Sequence, residues 1–173
     1  MRPLLFLLAA AAVITGETEP PHIKAALTAY ESGRAAQRDK QFQRALDCFH
    51  KALEIEPTLL KAYASLIDVY LDSGHRLEAA ASITQFLEIW PDAVRYRVLL
   101  GQILLEQNEV NRALAQFSLA LRTDPYNPDA LLGFASAAVR VGMQDRAAEA
   151  IERGRKRYPL DERFKTAPAA RQE

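Results

Sequence analysis

Apolar residues recur at helical spacing along most of the chain. In residues 63–70, tyrosines and aliphatic side chains occupy positions i, i+3, i+4 and i+7, which is one face of a helix. Leu114, Phe117 and Leu121 follow a similar spacing further along. Alanine is abundant and only 8% of the chain is aromatic, which favours close packing of helices over a sheet core. The pattern predicts an all-α fold.

A second, longer period organises these helices into tandem units. Prolines recur at intervals of 34 residues, at Pro57, Pro91, Pro125 and Pro159. Alanines recur at the same interval, at Ala45, Ala79, Ala113 and Ala147. Four prolines in one preset register would arise by chance with a probability on the order of 10⁻⁵. The period predicts repeats of two helices each, in which the alanines mark the place where the two helices cross.

Turn and capping residues fit between the predicted helices. Gly74 and Gly142 can adopt the positive φ of a tight turn. Asn127 precedes a proline and is predicted to cap the helix that follows. Thr58 and Asp92, each directly after a repeat proline, are further candidates for helix caps.

This spacing resembles the tetratricopeptide repeat family. The third unit carries the closest match, with Gly101, Ala113, Phe117, Ala120 and Pro125. The resemblance implies a right-handed α-solenoid of four helix-turn-helix repeats with a short C-terminal cap. The predicted repeats cover residues 26–59, 60–93, 94–127 and 128–161. Residues 17–25 are predicted to form a polar linker and the start of the first helix, and residues 162–173 a short cap and flexible tail.

Two residues depart from the family's pattern. Arg97 stands where the third repeat is expected to have an aromatic side chain, and Phe86 replaces a small residue in the second repeat. The cap, which includes Leu160 and Phe164, is shorter than the full helix usual in this family. We therefore expect altered local packing at these places and some uncovered apolar surface on the last hairpin.

The family binds extended peptides or partner helices on a concave groove that the first helix of each repeat lines. Assigning the groove-facing side of those helices by a period of 3.6 residues gives a candidate surface of mixed charge. The candidate groove residues are Tyr30, Arg34, Arg38, Lys61, Ala64, Asp68, Asp72, Arg95, Val98, Gln102, Glu106, Asp129, Leu132 and Ser136.

Residues 1–16 have the order of a secretory signal peptide. Arg2 precedes an apolar run of residues 4–14, and small residues and a polar segment follow. The run is short for a membrane-spanning helix, which needs about 20 residues. We expect an exported chain, most simply a periplasmic one, while an uncleaved anchor is the alternative.

The side chains that carry chemistry are few and scattered. His22, His50 and His75 lack the spacing of a metal site or a catalytic triad, and Cys48 is the single cysteine. We therefore predict no enzyme activity, no metal and no cofactor. Lysine plus arginine and aspartate plus glutamate number 22 each, so the chain as a whole lacks the basic footprint of a nucleic-acid-binding protein.

One local basic cluster, Arg153, Arg155, Lys156 and Arg157, leaves two interpretations open. Cations at a helix C-terminus complement the helix dipole, and a contact with anionic lipid, cell-wall polymer or nucleic acid is the sharper alternative.

The resulting hypothesis is a non-catalytic scaffold that binds a protein or peptide and helps to assemble an envelope complex. Peripheral association with the envelope is compatible with it. The alternative is a structural protein that self-assembles into homo-oligomers through its end surfaces.

Overall fold

The computed structural model describes residues 20–167, and every regular element there is helical. The predicted signal peptide lies outside the described residues, as do residues 168–173 of the predicted tail. The helices, in chain order, are α1 Pro21–Arg38, α2 Phe42–Ile55, α3 Leu60–Asp72, α4 Arg76–Ile89, α5 Val94–Glu106, α6 Val110–Thr123, α7 Pro128–Arg140, α8 Gln144–Arg157 and α9 Glu162–Thr166. The predicted all-α class of paired helices is confirmed.

The turn inside each repeat places one residue in the left-handed region of the backbone. That residue is Lys40, Gly74, Asn108 or Gly142, with φ of 56°, 79°, 61° and 79° respectively. These positions are again 34 residues apart, so the same turn recurs in all four repeats. Glycine adopts this conformation without a Cβ clash, and asparagine tolerates it better than most residues. Lysine has no such preference, so at Lys40 the 34-residue period marks the turn and the residue type does not.

Asparagine capping was predicted correctly, whereas the two other predicted caps were wrong. The Asn127 side chain accepts a hydrogen bond from the Ala130 amide at 3.0 Å. The helices α3 and α5 instead begin after Leu59 and Ala93, neither of which caps with its side chain. The Thr58 amide donates to the Glu56 carboxylate at 3.0 Å, so Thr58 belongs to the preceding turn.

The chain divides into two compact units, one ending at Gly74 and the other beginning at His75. The first unit packs α1, α2 and α3 against one another. Its core contains Ala45 and Phe49, both with no exposed surface. A Cβ added at Gly33 would lie 2.6 Å from the Phe49 ring, so the glycine lets α1 and α2 approach closely.

The second unit contains α4 to α9. Here Phe117 is fully buried, and Cβ atoms added at Gly101 and Gly133 would lie 2.8 Å and 2.3 Å from its ring. One aromatic side chain of α6 therefore fills the space that glycines leave on both α5 and α7. The predicted crossing-point alanines are buried throughout, from 0% exposed at Ala45, Ala79 and Ala113 to 1% at Ala147.

The short cap covers the last hairpin more completely than we expected from its length. Phe164 of α9 is fully buried against α8, and a Cβ on Gly154 would lie 2.0 Å from its ring. The Asp161 carboxylate caps α9 by accepting from the Arg163 amide at 3.0 Å. Leu160, which was expected to help cover the hairpin, is instead 87% exposed. Within residues 20–167 no helix has both the length and the apolar character needed to cross a membrane.

Candidate functional site

In the first unit, the candidate groove residues lie on α1 and α3 around a half-buried tyrosine. The Tyr30 ring lies 5.8 Å from the Phe49 ring, centroid to centroid, so its inner edge belongs to the core. The Lys61 ammonium lies 4.6 Å from the centroid of the Tyr30 ring, which is a favourable cation–π distance. Two predicted residues thus meet, and together they present a basic and aromatic patch.

The remaining candidates of the first unit differ in accessibility. Arg34 is half-buried and donates to the Gln37 side chain at 3.2 Å. Ala64 is half-buried, whereas Arg38, Asp68 and Asp72 are exposed. The surface of this unit therefore carries both charge signs.

In the second unit, α5 and α7 present exposed polar side chains beside apolar ones. Arg95, Gln102 and Ser136 are exposed, and Leu132 is half-buried. The Arg95 guanidinium lies 5.7 Å from the centroid of the Tyr96 ring. These residues form a polar face with an apolar edge.

Val98 was assigned to the groove wrongly. It is only 6% exposed and belongs to the core. The physical reason is that α5 packs against α4, α6 and α7, so its buried stripe is wider than the stripe of a helix with a single neighbour.

Two acidic candidates form ion pairs within the chain. Glu106 lies 2.8 Å from the Arg76 guanidinium, and Asp129 lies 2.6 Å from that of Arg163. All four side chains are about half exposed, so each pair contributes about 0–1 kcal/mol to stability. These carboxylates still face solvent, but a partner would have to compete with an arginine of this chain.

The cap network also shifts two pKa values. A hydrogen bond from the Arg163 side chain lowers the pKa of the Asp161 carboxyl, and bonds to Asp161 and Asp129 raise the pKa of the Arg163 guanidinium. Both shifts favour the charged forms, and Arg163 ties α9 to α7 through its ion pair with Asp129. They fit a structural link rather than acid–base chemistry, which needs a pKa moved toward neutrality.

The basic cluster of α8 is divided among separate contacts. Arg153 donates to the Pro125 carbonyl, and Arg155 donates to the Phe164 carbonyl at 2.9 Å. Lys156 lies 3.7 Å from the Glu152 carboxylate, and the Arg157 guanidinium lies 5.5 Å from the centroid of the Tyr158 ring. Each of the four cations thus contacts a different neighbour within the chain.

Arg97, which departs from the family's pattern, also has a structural role. Its side chain donates to the Pro91 carbonyl at 2.7 Å and to the Gln116 side chain at 3.2 Å. The arginine thereby links the turn before α5 to α6. In residues 20–167 there is no group of three histidine, cysteine or acidic side chains able to hold a metal ion.

This chain is a helical-hairpin repeat protein. Its helices come in pairs, a left-handed turn recurs in each pair, and phenylalanine rings pack against glycines of neighbouring helices. Two family models described as tetratricopeptide repeat match the chain, at residues 64–128 and 104–170. The chain belongs to the tetratricopeptide repeat family, whose repeats are protein-interaction modules.

Comparison with individual proteins gives the same fold. The chain is 31% identical over 108 residues to Tetratricopeptide repeat protein 6 of Homo sapiens, a match that covers 61% of this chain and 21% of that protein. The chain thus spans about a fifth of the length of the curated relatives it matches.

Among solved structures, MamA superposes with a TM-score of 0.73 at 20% identity, covering 82% of this chain and 78% of that one. A tetratricopeptide repeat protein from Parabacteroides merdae gives a TM-score of 0.75 at 16% identity, covering 83% and 57%. At such identities the likeness shows the fold alone.

Proposed function

We propose that this chain is a non-catalytic scaffold that binds a peptide or a partner helix on the first helices of its repeats. The observation that carries the proposal is the two-sided character of those helices. On α5 and α7, one side is core, while Arg95, Gln102 and Ser136 remain exposed beside half-buried Leu132. Exposed polar groups around partly accessible apolar anchors are the usual composition of an interaction surface.

The charges of the surface indicate what kind of segment it binds. In the first unit the basic and aromatic pair of Lys61 and Tyr30 lies on helices that also carry exposed Asp68 and Asp72. A partner of uniform charge would meet repulsion from one of the two signs. We therefore infer a partner segment of mixed charge with a few apolar anchors, each worth about 1.5–3 kcal/mol when buried.

We further propose that the scaffold acts after export, in the assembly of an envelope complex. The support is the order of residues 1–16, a charged start followed by a short apolar run and small residues. The export proposal is independent of the binding surface and can fail separately.

A matched pair of double variants tests the binding surface. Arg34→Glu with Arg95→Glu reverses two charges on first helices, and we expect it to weaken capture of the native partner by about tenfold. Arg44→Glu with Arg112→Glu is the control, because both residues are exposed, lie on second helices and occupy equivalent positions in repeats one and three. Binding measured with the purified partner should be unchanged in the control. Equal affinities of the two double variants would overturn the assignment.

Export is tested by expressing the full chain in a bacterium and fractionating the cells. We expect the periplasmic product to be shorter by the first 12 to 16 residues, as measured by intact mass. Retention of the full-length chain in the cytoplasm would contradict export and leave the scaffold proposal standing.

A further inference from the structure

A recess of about 380 Å³ lies among α6, α7 and α8 in the second unit. Its floor is apolar, since Phe134 and Ala150 are 6% and 3% exposed and Leu121 is half-buried. The recess involves residues of the second helices and includes none of the candidate groove residues. It is therefore a separate surface of the repeat pair.

Three arginines line the recess and face a single acidic residue. Arg122 comes from α6, whereas Arg146 and Arg153 come from α8, as does Glu149. Packing thus brings together Arg122 and Arg153, which are 31 positions apart in the sequence. The charge of the lining is net positive on a chain whose formal net charge is zero.

None of these three guanidinium groups pairs with a carboxylate in the described part of the chain. Arg153 is fixed by the Pro125 carbonyl. Arg146 donates to the Met143 sulfur at 3.7 Å, and its guanidinium lies 5.1 Å from the centroid of the Phe134 ring, above the apolar floor. Arg122 is exposed and makes no hydrogen bond or ion pair within residues 20–167. The recess therefore offers the hydrogen-bond donors of Arg122, which the described fold does not use, beside two guanidinium groups that have no carboxylate partner.

Tyr126 and a second recess lie on either side of the first recess and lengthen the candidate binding surface. Tyr126 is 50% exposed, and its ring centroid lies 5.8 Å from the Arg153 guanidinium. On the other side, Arg122 also lines a neighbouring recess of about 520 Å³, which Arg97, Leu119 and the acidic Asp92 share. A bound chain could thus run past Tyr126, across the first recess and over Arg122.

We propose that this recess binds an acidic segment of a partner protein, with a carboxylate at Arg122 and Arg146 and a neighbouring apolar side chain on Phe134. Guanidinium groups bind carboxylates in a forked geometry, and the apolar floor accepts the adjoining side chain. A flat membrane would not reach into a recess, and the apolar floor at Phe134 suits an apolar side chain of a peptide better than the sugar–phosphate backbone of a nucleic acid. The proposal is independent of the binding surface on the first helices.

The test uses the full chain and a fluorescein-labelled synthetic peptide in which four glutamates flank a central Leu-Phe pair. The same peptide with glutamines is the matched control ligand. We expect fluorescence polarisation to show saturable binding of the acidic peptide, weakened about tenfold by Arg122→Glu and by Arg122→Gln. Lys156→Glu is the control variant, because it makes the same charge change on α8 outside the recess, and it should alter affinity by less than about twofold.

Three outcomes would overturn the proposal. They are no saturable binding of the acidic peptide, equal weakening by Arg122→Glu and Lys156→Glu, and binding to phosphatidylglycerol vesicles without binding to the peptide. Unchanged thermal unfolding of the Arg122 variants shows that they are folded, since Arg122 makes no contact that the fold needs. Arg95→Glu should leave peptide binding intact, which separates this site from the surface proposed above.

Discussion

Successive helices pack through different pairs of side chains at two junctions of the second unit, α4–α5 and α8–α9. At the first junction Phe86 faces Tyr96, with ring centroids 4.2 Å apart. At the second junction Gly154 faces Phe164, which is fully buried. Phe86 and Gly154 occupy equivalent positions two repeats apart, and so do Tyr96 and Phe164. One junction thus places two rings between its helices, whereas the other fits one ring against a bare backbone.

In the first unit the same pair of positions holds two alanines. Ala52 and Ala62 are both fully buried and share a core cluster with Ala29. The comparison teaches that the repeat fixes where neighbouring hairpins touch but leaves the combined volume at that contact free to vary. Volume then decides how closely the helices approach, because protein interiors tolerate neither voids nor overlaps.

Removing the ring of Phe86 should lower the stability of the protein more than any other change at these junctions. Phe86 is 1% exposed, so Phe86→Ala should lower the free energy of unfolding by about 3–4 kcal/mol. Tyr96→Ala, at a half-buried position, should cost about 2 kcal/mol. Because the rings contact each other, the double variant should cost about 1 kcal/mol less than the sum. Urea unfolding followed by circular dichroism measures all three.

Tyr126→Ala is the matched control for that series. Tyr126 is 50% exposed, so removing its ring should change the free energy of unfolding by no more than about 0.5 kcal/mol. Strictly additive costs for Phe86 and Tyr96 would show that the two rings stabilise the junction separately.

Gly154→Ala should have a smaller effect, and its sign should depend on Phe164. The added Cβ would lie 2.0 Å from the Phe164 ring, and overpacking costs about 1–3 kcal/mol. The helix interior gains about 1 kcal/mol when glycine becomes alanine. We therefore expect a net loss of about 1 kcal/mol with Phe164 present. In the Phe164→Ala background the clash is gone, and the same change should stabilise the protein in thermal or urea unfolding. A loss of equal size in both backgrounds would exclude the steric explanation.

Acidification should have the smallest effect on stability, and this effect should be confined to the cap helix α9. The pKa of Asp161 is lower in the folded chain than its usual 3.8, so its stabilisation is complete above that value and is lost as pH falls through the lower folded pKa. Amide hydrogen exchange of residues 163–166, corrected for intrinsic rates, should show declining protection between about pH 5 and about pH 2. Asp161→Asn keeps a capping oxygen but not the charge, so protection should already be reduced at the higher pH and should vary less.

The 34-residue period was sufficient to predict the helix pairs, the buried alanines and the family. The burial of Leu160 was mispredicted because Leu160 and Phe164 are both apolar, and only Phe164 has a glycine to pack against. The sequence pattern also placed Val98 on the surface, since a one-helix period takes no account of how many neighbours a helix has. The basic cluster of α8 pointed to Arg153 but gave no reason to connect it with Arg122.

The amino-acid sequence by itself determined the pairing of helices within each repeat and the small residues that recur at each crossing. Those features depend on residues within about one repeat of each other, so their spacing is visible in one dimension. Only the tertiary structure decided which rings meet at a junction, which carboxylates are paired and which arginines share a recess. These depend on side-chain contacts between different helices, which are set by how the helices pack and are not visible in the spacing of residue types.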